Sequence, residues 1–545
     1  MCKCLSSAPS DPDGGDGGTS CDGGQPCLLM PGDLIVTVID DEDNSKVEAV
    51  PVKIQGPLTV QKPSGKDGVA EFRGITPGGY TITHASTCLL PANGGGTVTA
   101  SATTPVELRV RHIHASITIQ ELTYSGHNRV EKDTTGLFPA PEWVAGRARA
   151  DQSPVSYARK KKVSFTAKFK VTTAPCRPEV VDVKGNATFG PAALEWTGKV
   201  TVNPGAADVS VALTSTQDLA DEVGLFDGHD ITWQMNPATR GWAPAGTSQN
   251  SVYVTLADPS VSPNYWTLLE ISCRGGTGTK NEDDFVKASF VPYTSHIGNG
   301  SGFRRMRDGT ELTYYKKGAD TPSVGVFQCS DILSRADGTG RCGAWARFLV
   351  AMHQIHGVTS STVFGVVPIN APFLIVKNVA FSGPGSLPVP FTHLGNAECT
   401  KITGIPGQGK TNPQFIFKDH ALVRHATGIY DPSYGVGPIP DLKHWEDGGI
   451  GGIGDGVPVS LVFDGDNHGL PRGCSQGFAI HTAAAGETLG SIATKYGAAS
   501  GNVLYDHPYN ASFKATHPAP VTIMAGDKLH IPRAVAPKVA IMRIA

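Results

Sequence analysis

The first clear pattern along the chain is an alternation of apolar and polar residues. Residues 33–40 read DLIVTVID, which places Leu34, Val36 and Val38 on one face, and a period of two is typical of a half-buried β-strand. Similar short runs continue to about residue 273, separated by Asp-Gly and Pro-Gly turns. Runs of this kind favour β-sandwiches. We therefore predict one sandwich over residues 31–122 and a second, immunoglobulin-like one over residues 123–275.

Beyond residue 275 the apolar positions take a helical period. Trp345, Phe348 and Leu349, followed by Met352, recur at spacings of three and four, which predicts an amphipathic helix of about four turns. Gly357 should end it, because glycine suits the residue just after a helix. Strand-like segments follow: FGVVPI, FLIVKNVAF, PQFIFKDHALVRH and GIYDPSYG. This mixture predicts an α+β domain over residues 276–446, then a Gly-rich connector over residues 447–474.

The bulk composition sets limits on these assignments. A chain of 545 residues is long enough for about three to five domains. A net charge of −3 leaves no electrostatic footprint for nucleic acid, and no apolar run is long enough for a membrane span. Residues 1–30 form a flexible leader rich in Gly, Asp and Cys that cannot serve as a signal peptide. We expect a protein that is cytoplasmic in the producing cell or leaves by a leaderless route.

Cysteine chemistry is the main candidate activity. Cys342 opens the predicted helix, where the peptide dipoles lower a thiol pKa. His420 and Asp431 lie on two successive strands, and a hairpin turning near residues 426–428 would bring them together as base and orienting acid. The side chains of Gln408 and Gln328 are the candidate oxyanion donors, of which Gln408 is favoured by its Gly-rich loop.

No metal or cofactor is implied by these residues. His112 and His114 would face one way on a strand, as two metal ligands do, but no third ligand can be named. A surface strand is the favoured interpretation of that pair. The eleven cysteines are an odd number spread thinly along the chain, which does not indicate a disulfide scaffold.

The order of these motifs resembles the transglutaminase-like core of the papain superfamily. The matching positions are Gly340 and Cys342, then Ala346, Leu349 and Gly357 on the helix, then His420-Ala421 and Val423, and finally Asp431-Pro432-Ser433. Leu422 replaces a common tryptophan. The resemblance covers residues 341–435 and implies a cysteine-dependent hydrolase, an amidase or protease. The alternatives are a protein cross-linking or deamidating acyltransferase, and a non-catalytic adaptor or structural component of a contractile secretion apparatus.

Two further resemblances concern the ends of the chain. GKDGVAEFRGITPGGYTIT, within residues 33–120, resembles the carboxypeptidase-regulatory-like sandwich, which implies a structural or adhesive module. Residues 475–535 contain GETLGSIATKYG and AGDKLHIP and resemble a LysM module of the kind found with phage-tail and type VI secretion components. Thr488 should cap its first helix.

These resemblances together imply a small α+β LysM domain and a multidomain, β-rich secreted effector or toxin. The implied partners are a peptide, protein or peptidoglycan amide as substrate, the peptidoglycan glycan through LysM, and a component of the secretion apparatus. Delivery would be by a contractile system into the envelope of a target cell.

Overall fold

The structure of the protein is a computed structural model that describes most of residues 30–542. The gaps within that range are residues 238–239, 299–301, 316–327, 369–372, 377–405, 411–415, 418, 455–457, 464–465, 472–473, 476–478, 497, 499, 507–509, 519–522 and 532–538. The predicted leader therefore lies outside the described residues, apart from Met30. The described chain is multidomain and β-rich. None of its helices is both long and apolar enough to cross a membrane.

The first sandwich consists of two sheets over residues 32–110. Its strands are β1 (Gly32–Asp40), β2 (Pro51–Gln55), β3 (Thr59–Pro63), β4 (Val69–Ile75), β5 (Gly78–His84), β6 (Asn93–Val98) and β7 (Thr103–Val110). The sheets have the orders β4-β1-β7 and β3-β2-β5-β6. The predicted inward face of β1 is confirmed, because Leu34, Val36 and Val38 are completely buried.

The second sandwich occupies residues 116–255. The strands in this range are β8 (Ser116–Ser125), β9 (Val130–Glu131), β10 (Trp143–Val144), β11 (Val155–Ala158), β12 (Ser164–Thr173), β13 (Glu179–Phe189), β14 (Ala192–Val202), β15 (Asp208–Thr214), β16 (Gly224–Pro237) and β17 (Ala243–Thr255), with a 3-10 turn at Arg149–Asp151. Strand β9 lies outside the two sheets of the sandwich. The sheets run β10-β8-β12-β15 and β11-β17-β16-β13-β14. Between them the Phe165 ring lies 5.2 Å from that of Trp196 and 5.8 Å from that of Trp233, which is the spacing of attractive aromatic pairs.

A unit of helices and strands follows, which we call the mixed unit (residues 264–475, with residues 539–542). Its helices are α1 (Trp266–Gly276), α2 (Glu282–Ser295), α3 (Cys329–Ser334), α4 (Cys342–Gln354) and α5 (Leu442–Gly449). Its strands are β18 (Asn264–Tyr265), β19 (Thr313–Tyr314), β20 (Thr339–Gly340), β21 (Thr362–Pro368), β22 (Phe373–Val376), β23 (Ile416–Phe417), β24 (His420–His425), β25 (Gly428–Asp431), β26 (Val436–Ile439), β27 (Ile450–Gly454), β28 (Pro458–Phe463), β29 (Asp466–Pro471) and β30 (Cys474–Ser475). The predicted amphipathic helix is confirmed as α4.

The last unit lies between β30 and the final strand. It comprises β31 (Ala479–Thr482), α6 (Leu489–Lys495), α7 (Gly501–Tyr505), α8 (Ala511–Thr516) and β32 (Lys528–Ile531). Thr488 caps α6 as predicted, since its hydroxyl accepts a hydrogen bond of 3.0 Å from the Ser491 amide. The chain then returns as β33 (Val539–Met542), which completes the mixed unit's sheet of order β26-β25-β24-β21-β33.

Polar and covalent links join neighbouring units. A Cys88–Cys176 disulfide connects the first sandwich to the second. The His114 ring, between the two sandwiches in the chain, bonds Glu42 of the first through Nε2 (3.2 Å) and Glu179 of the second through Nδ1 (2.7 Å). The predicted domain boundaries stay predictions. In the described residues no group of three or more ligand-type side chains could hold a metal ion.

Candidate functional site

Cys342 lies at the first position of α4, as the sequence predicts. The chain reaches it through β20, where a Cβ on Gly340 would stand 2.1 Å from the Ile332 side chain. Only glycine fits such a close approach. Helix α4 packs its apolar face into the core, with Trp345 and Phe348 completely buried. Glycine at 357 has φ +76°, a left-handed conformation that suits the chain reversal after the helix.

The β24–β25 hairpin brings the predicted base and acid together. His425 pairs with Gly428 across the turn, which is where the sequence predicts the reversal. His420 Nε2 lies 3.0 Å from Asp431 Oδ2. The same carboxylate oxygen accepts a hydrogen bond of 3.1 Å from the Trp445 indole N–H on α5. Asp431 is therefore held by two donors in a completely buried position.

Aromatic rings enclose the His420 imidazole. Trp445 stacks on it at a centroid distance of 5.8 Å with an interplanar angle of 9°. Phe417 and Tyr434 pack at 5.1 Å and 5.6 Å. His420 and Asp431 have no exposed surface, and Cys342 is only 7% exposed. The three predicted residues thus form a buried cluster, which we call the thiol–imidazole–carboxylate cluster.

The cluster holds a positive charge on His420. Burial by itself lowers the pKa of His420, but the Asp431 carboxylate and, to a smaller extent, the Cys342 thiol outweigh it and raise that pKa to about 10. Nδ1 has no hydrogen-bond partner in the described residues. A histidine with this pKa is protonated at neutral pH, so His420 and the Asp431 carboxylate form a buried ion pair.

The two histidines at the end of α4 behave in the opposite way. Burial lowers the pKa of both His353 and His356 to about 3, and in each case a neighbouring histidine adds to the shift. His356 bonds the Ser272 hydroxyl at 2.8 Å and stacks on Phe285 at 4.1 Å. Burial is the larger cause in both cases, so the two histidines stay neutral and serve as packing residues.

The two oxyanion candidates occupy different surroundings. Gln408 is completely buried, and its amide nitrogen donates to the Tyr293 carbonyl at 2.8 Å. Its backbone N–H donates to the Ser433 carbonyl at 3.1 Å, which ties its loop to the end of the hairpin. Gln328 is exposed and precedes α3, and its backbone N–H donates to Asp331 at 2.7 Å. The structure thus brings Gln408, and not Gln328, to the neighbourhood of the hairpin.

Comparisons with known proteins give no support for the predicted family. No family model matches the chain, and no curated protein matches it. The chain is similar at 9% identity to BcpA, the major pilin subunit of Bacillus cereus, over 42% of this chain and 70% of that one, with a TM-score of 0.18. The major pilin SpaD of Corynebacterium diphtheriae is also 9% identical, over 41% and 64% of the two chains, with a TM-score of 0.16.

The RrgB pilus protein of Streptococcus pneumoniae shows a likeness of the same order. It is 10% identical, over 38% of this chain and 48% of that one, with a TM-score of 0.16. The chain therefore spans about two thirds or less of SpaD and RrgB. At these TM-scores the likenesses do not place this chain among the pilins.

Several predictions from the sequence are contradicted by these comparisons. The three similar structures named above are pilin proteins, and none of the three is a transglutaminase-like enzyme; no family model supports a papain-like or a LysM domain. The predicted membership of the transglutaminase-like family is therefore wrong. The predicted cysteine hydrolase or acyltransferase is wrong with it, as are the descriptions as thiol protease, type VI effector and toxin. The assignment of Cys342, His420 and Asp431 as catalytic residues has no direct test and stays a prediction.

Sequence reasoning missed the residues that close the cluster. Trp445 lies on α5, and its indole contacts both His420 and Asp431. Phe417 and Tyr434 complete the enclosure. The sequence offers a signal for two of these residues, because Phe417 lies three residues before His420 and Tyr434 lies three residues after Asp431. Nothing in the local pattern connects Trp445 with the hairpin.

Proposed function

We propose that this chain is a non-catalytic, multidomain binding or structural protein. In this proposal the thiol–imidazole–carboxylate cluster is an internal tie between α4, the β24–β25 hairpin and α5. The observation that carries it is the enclosure of His420, whose ring has no exposed surface and lies against Trp445, Phe417 and Tyr434.

The enclosure supports this proposal, because acyl transfer needs access to the thiol. A nucleophile has to approach a substrate carbonyl to about 3–3.5 Å along an open path. Cys342 is 7% exposed, and the imidazole that would be its proton-transfer partner has no exposed surface. A buried charged pair with well-placed hydrogen bonds is instead suited to fixing one arrangement of the elements that carry it.

The finer architecture belongs to the same proposal. We infer two β-sandwich domains, an α+β domain and a small α+β domain near the C-terminus, arranged to present surfaces rather than an active site. The predicted partners, namely peptidoglycan and a component of a secretion apparatus, stay predictions. So does the cytoplasmic location in the producing cell.

A comparison of reaction products tests the proposal. The wild-type chain and Cys342→Ala are incubated with muropeptides and with a protein mixture, and the products are read by mass spectrometry. Cys329→Ala is the matched control, since Cys329 is also a buried thiol at the first position of a helix. We expect no cleaved or amine-exchanged product that distinguishes any of the three chains from the others. A cleaved or amine-exchanged product that forms with wild type and Cys329→Ala, but not with Cys342→Ala, would overturn the proposal.

A further inference from the structure

A polar groove opens on the outer face of the second sandwich. Strand β13 pairs with β16 only as far as Asn186 and Thr232, while its pairing with β14 continues to Phe189 and Ala192. The two strands β13 and β16 therefore part beyond Asn186, and the opening between them is the groove. It has a volume of about 520 Å³, within the range of about 300–1,000 Å³ that is typical of small-molecule sites.

Five polar side chains of the groove make no polar contact in the described part of the chain. Asn186, Thr188, His229, Asp230 and Thr232 line it. In the described part of the chain, none of these five side chains makes a hydrogen bond or an ion pair. Asn186 and His229 are half-buried, and the other three are exposed. The groove thus combines amide, hydroxyl, imidazole and carboxylate groups that are free to bind a ligand.

Two of the side chains that line the groove, those of His229 and Gln217, are held in place by neighbouring residues. The His229 ring packs edge-on against Phe226 at 5.5 Å and lies 5.8 Å from Phe189, which fixes the ring and leaves its nitrogens unbonded. Gln217 accepts from the Glu195 amide (3.2 Å) and from a neighbouring threonine hydroxyl with its oxygen. Its amide NH₂ is the group that remains for a ligand. Such preorganisation lowers the entropic cost of binding.

The chemistry of the lining selects a neutral, hydroxyl-rich ligand. Each sugar hydroxyl is both a donor and an acceptor, and side-chain amides, hydroxyls and carboxylates match it in both roles. Asp230 disfavours anions, while Glu195 is neutralised by Lys184 at 2.7 Å. The only apolar lining residues are Ala187, Ala193 and Leu194, so a peptide side chain finds no large apolar anchor. We infer that this groove is a carbohydrate-binding site.

Direct binding measurements on the full chain test this inference. The probes are a tetramer of N-acetylglucosamine and a tetramer of β-linked glucose, each followed by calorimetry. We expect measurable binding of at least one of them, weakened at least about tenfold in Asn186→Ala and in Asp230→Ala, since each variant removes a hydrogen-bonding group. Thr197→Ala is the matched control. Thr197 is an exposed threonine of the neighbouring strand β14 that is not among the lining residues, and its loss should change nothing.

Three outcomes would overturn the inference. One is that neither tetramer binds the wild-type chain. Another is that binding occurs but is the same in Asn186→Ala and Asp230→Ala as in wild type. The third is that a Lys/Arg-rich peptide binds instead, in a salt-sensitive way that depends on Asp230, which would assign the groove to a basic peptide. All three readouts are independent of Cys342, so they are separable from the test of the proposed function.

Discussion

Asp431→Asn is expected to lower the free energy of unfolding of the mixed unit by about 3–5 kcal/mol, the usual cost of removing one partner of a buried ion pair. The carboxylate accepts bonds from His420 and from Trp445 in a position without exposed surface. Asparagine has about the same volume as aspartate, so the substitution leaves no cavity that would add to the loss of stability. It removes the charge that keeps His420 protonated. We propose to measure the loss by urea unfolding combined with hydrogen exchange of β24 and β25.

The pH dependence of the same variant separates charge from packing. Raising the pKa of His420 from 6.5 to about 10 on folding means that the folded state binds the proton more tightly than the unfolded state does. The resulting stability is fully present below pH 6.5 and is lost as the pH rises through about 10. This loss should disappear in Asp431→Asn. An unchanged alkaline profile in the variant would show that the pair contributes no charge stabilisation.

A matched control for Asp431 exists in the same unit. Asp441 Oδ1 accepts from His444 Nδ1 at 2.7 Å, but this aspartate and histidine are 57% and 40% exposed. Water screens such a pair, so its contribution to stability is small. Asp441→Asn also keeps an oxygen that can cap α5. We expect little change from Asp441→Asn, and equal losses in the two variants would mean that burial of the cluster plays no part.

Loss of the Cys88–Cys176 disulfide is expected to be the other large effect. The two cysteines are 88 residues apart in sequence, and closing a loop of that length removes entropy from the unfolded chain worth about 4.6 kcal/mol. The double variant Cys88→Ser/Cys176→Ser should therefore unfold more easily than wild type, with the first and second sandwiches losing their covalent link. Thermal and urea unfolding of the oxidised proteins measure the difference.

Reduction provides the control for the disulfide. A reductant should destabilise wild type by about the same amount as the double substitution, and it should leave the double variant unchanged. Peptide mapping under non-reducing conditions should recover Cys88 and Cys176 as one linked species. Recovery of both as free thiols, or equal unfolding of wild type with and without reductant, would contradict this account.

Local patterns in the sequence predict much of the fold and the placement of the cluster. The alternation at Leu34, Val36 and Val38 and the three-to-four spacing along α4 appear in the structure as predicted, because one buried face determines each of them. The β24–β25 hairpin follows from a short turn between two strand-like segments. This hairpin alone predicts that the side chains of His420 and Asp431 meet.

The remaining features depend on contacts between distant segments. Periodicity carries no information on which cysteine pairs with Cys88, since seven strands, β6 to β12, lie between the two bonded residues. The same is true of β33, which joins β21 across the whole C-terminal unit. Trp445, which covers the His420 ring, stands on a separate helix. The sequence motif of Cys342, His420 and Asp431 therefore predicts which residues meet. It does not predict whether a substrate can reach them.

The alkylation rate of Cys342 in the native chain is the most direct test of a sealed, non-catalytic cluster. Iodoacetamide labelling of the native and urea-unfolded protein is followed by peptide mapping, with Cys329 as the internal reference thiol. We predict that folding slows labelling of Cys342 at least about a hundredfold, since reaction requires local opening. Native labelling of Cys342 as fast as in the unfolded chain, and slowed by His420→Ala, would show an accessible, activated thiolate and contradict the account.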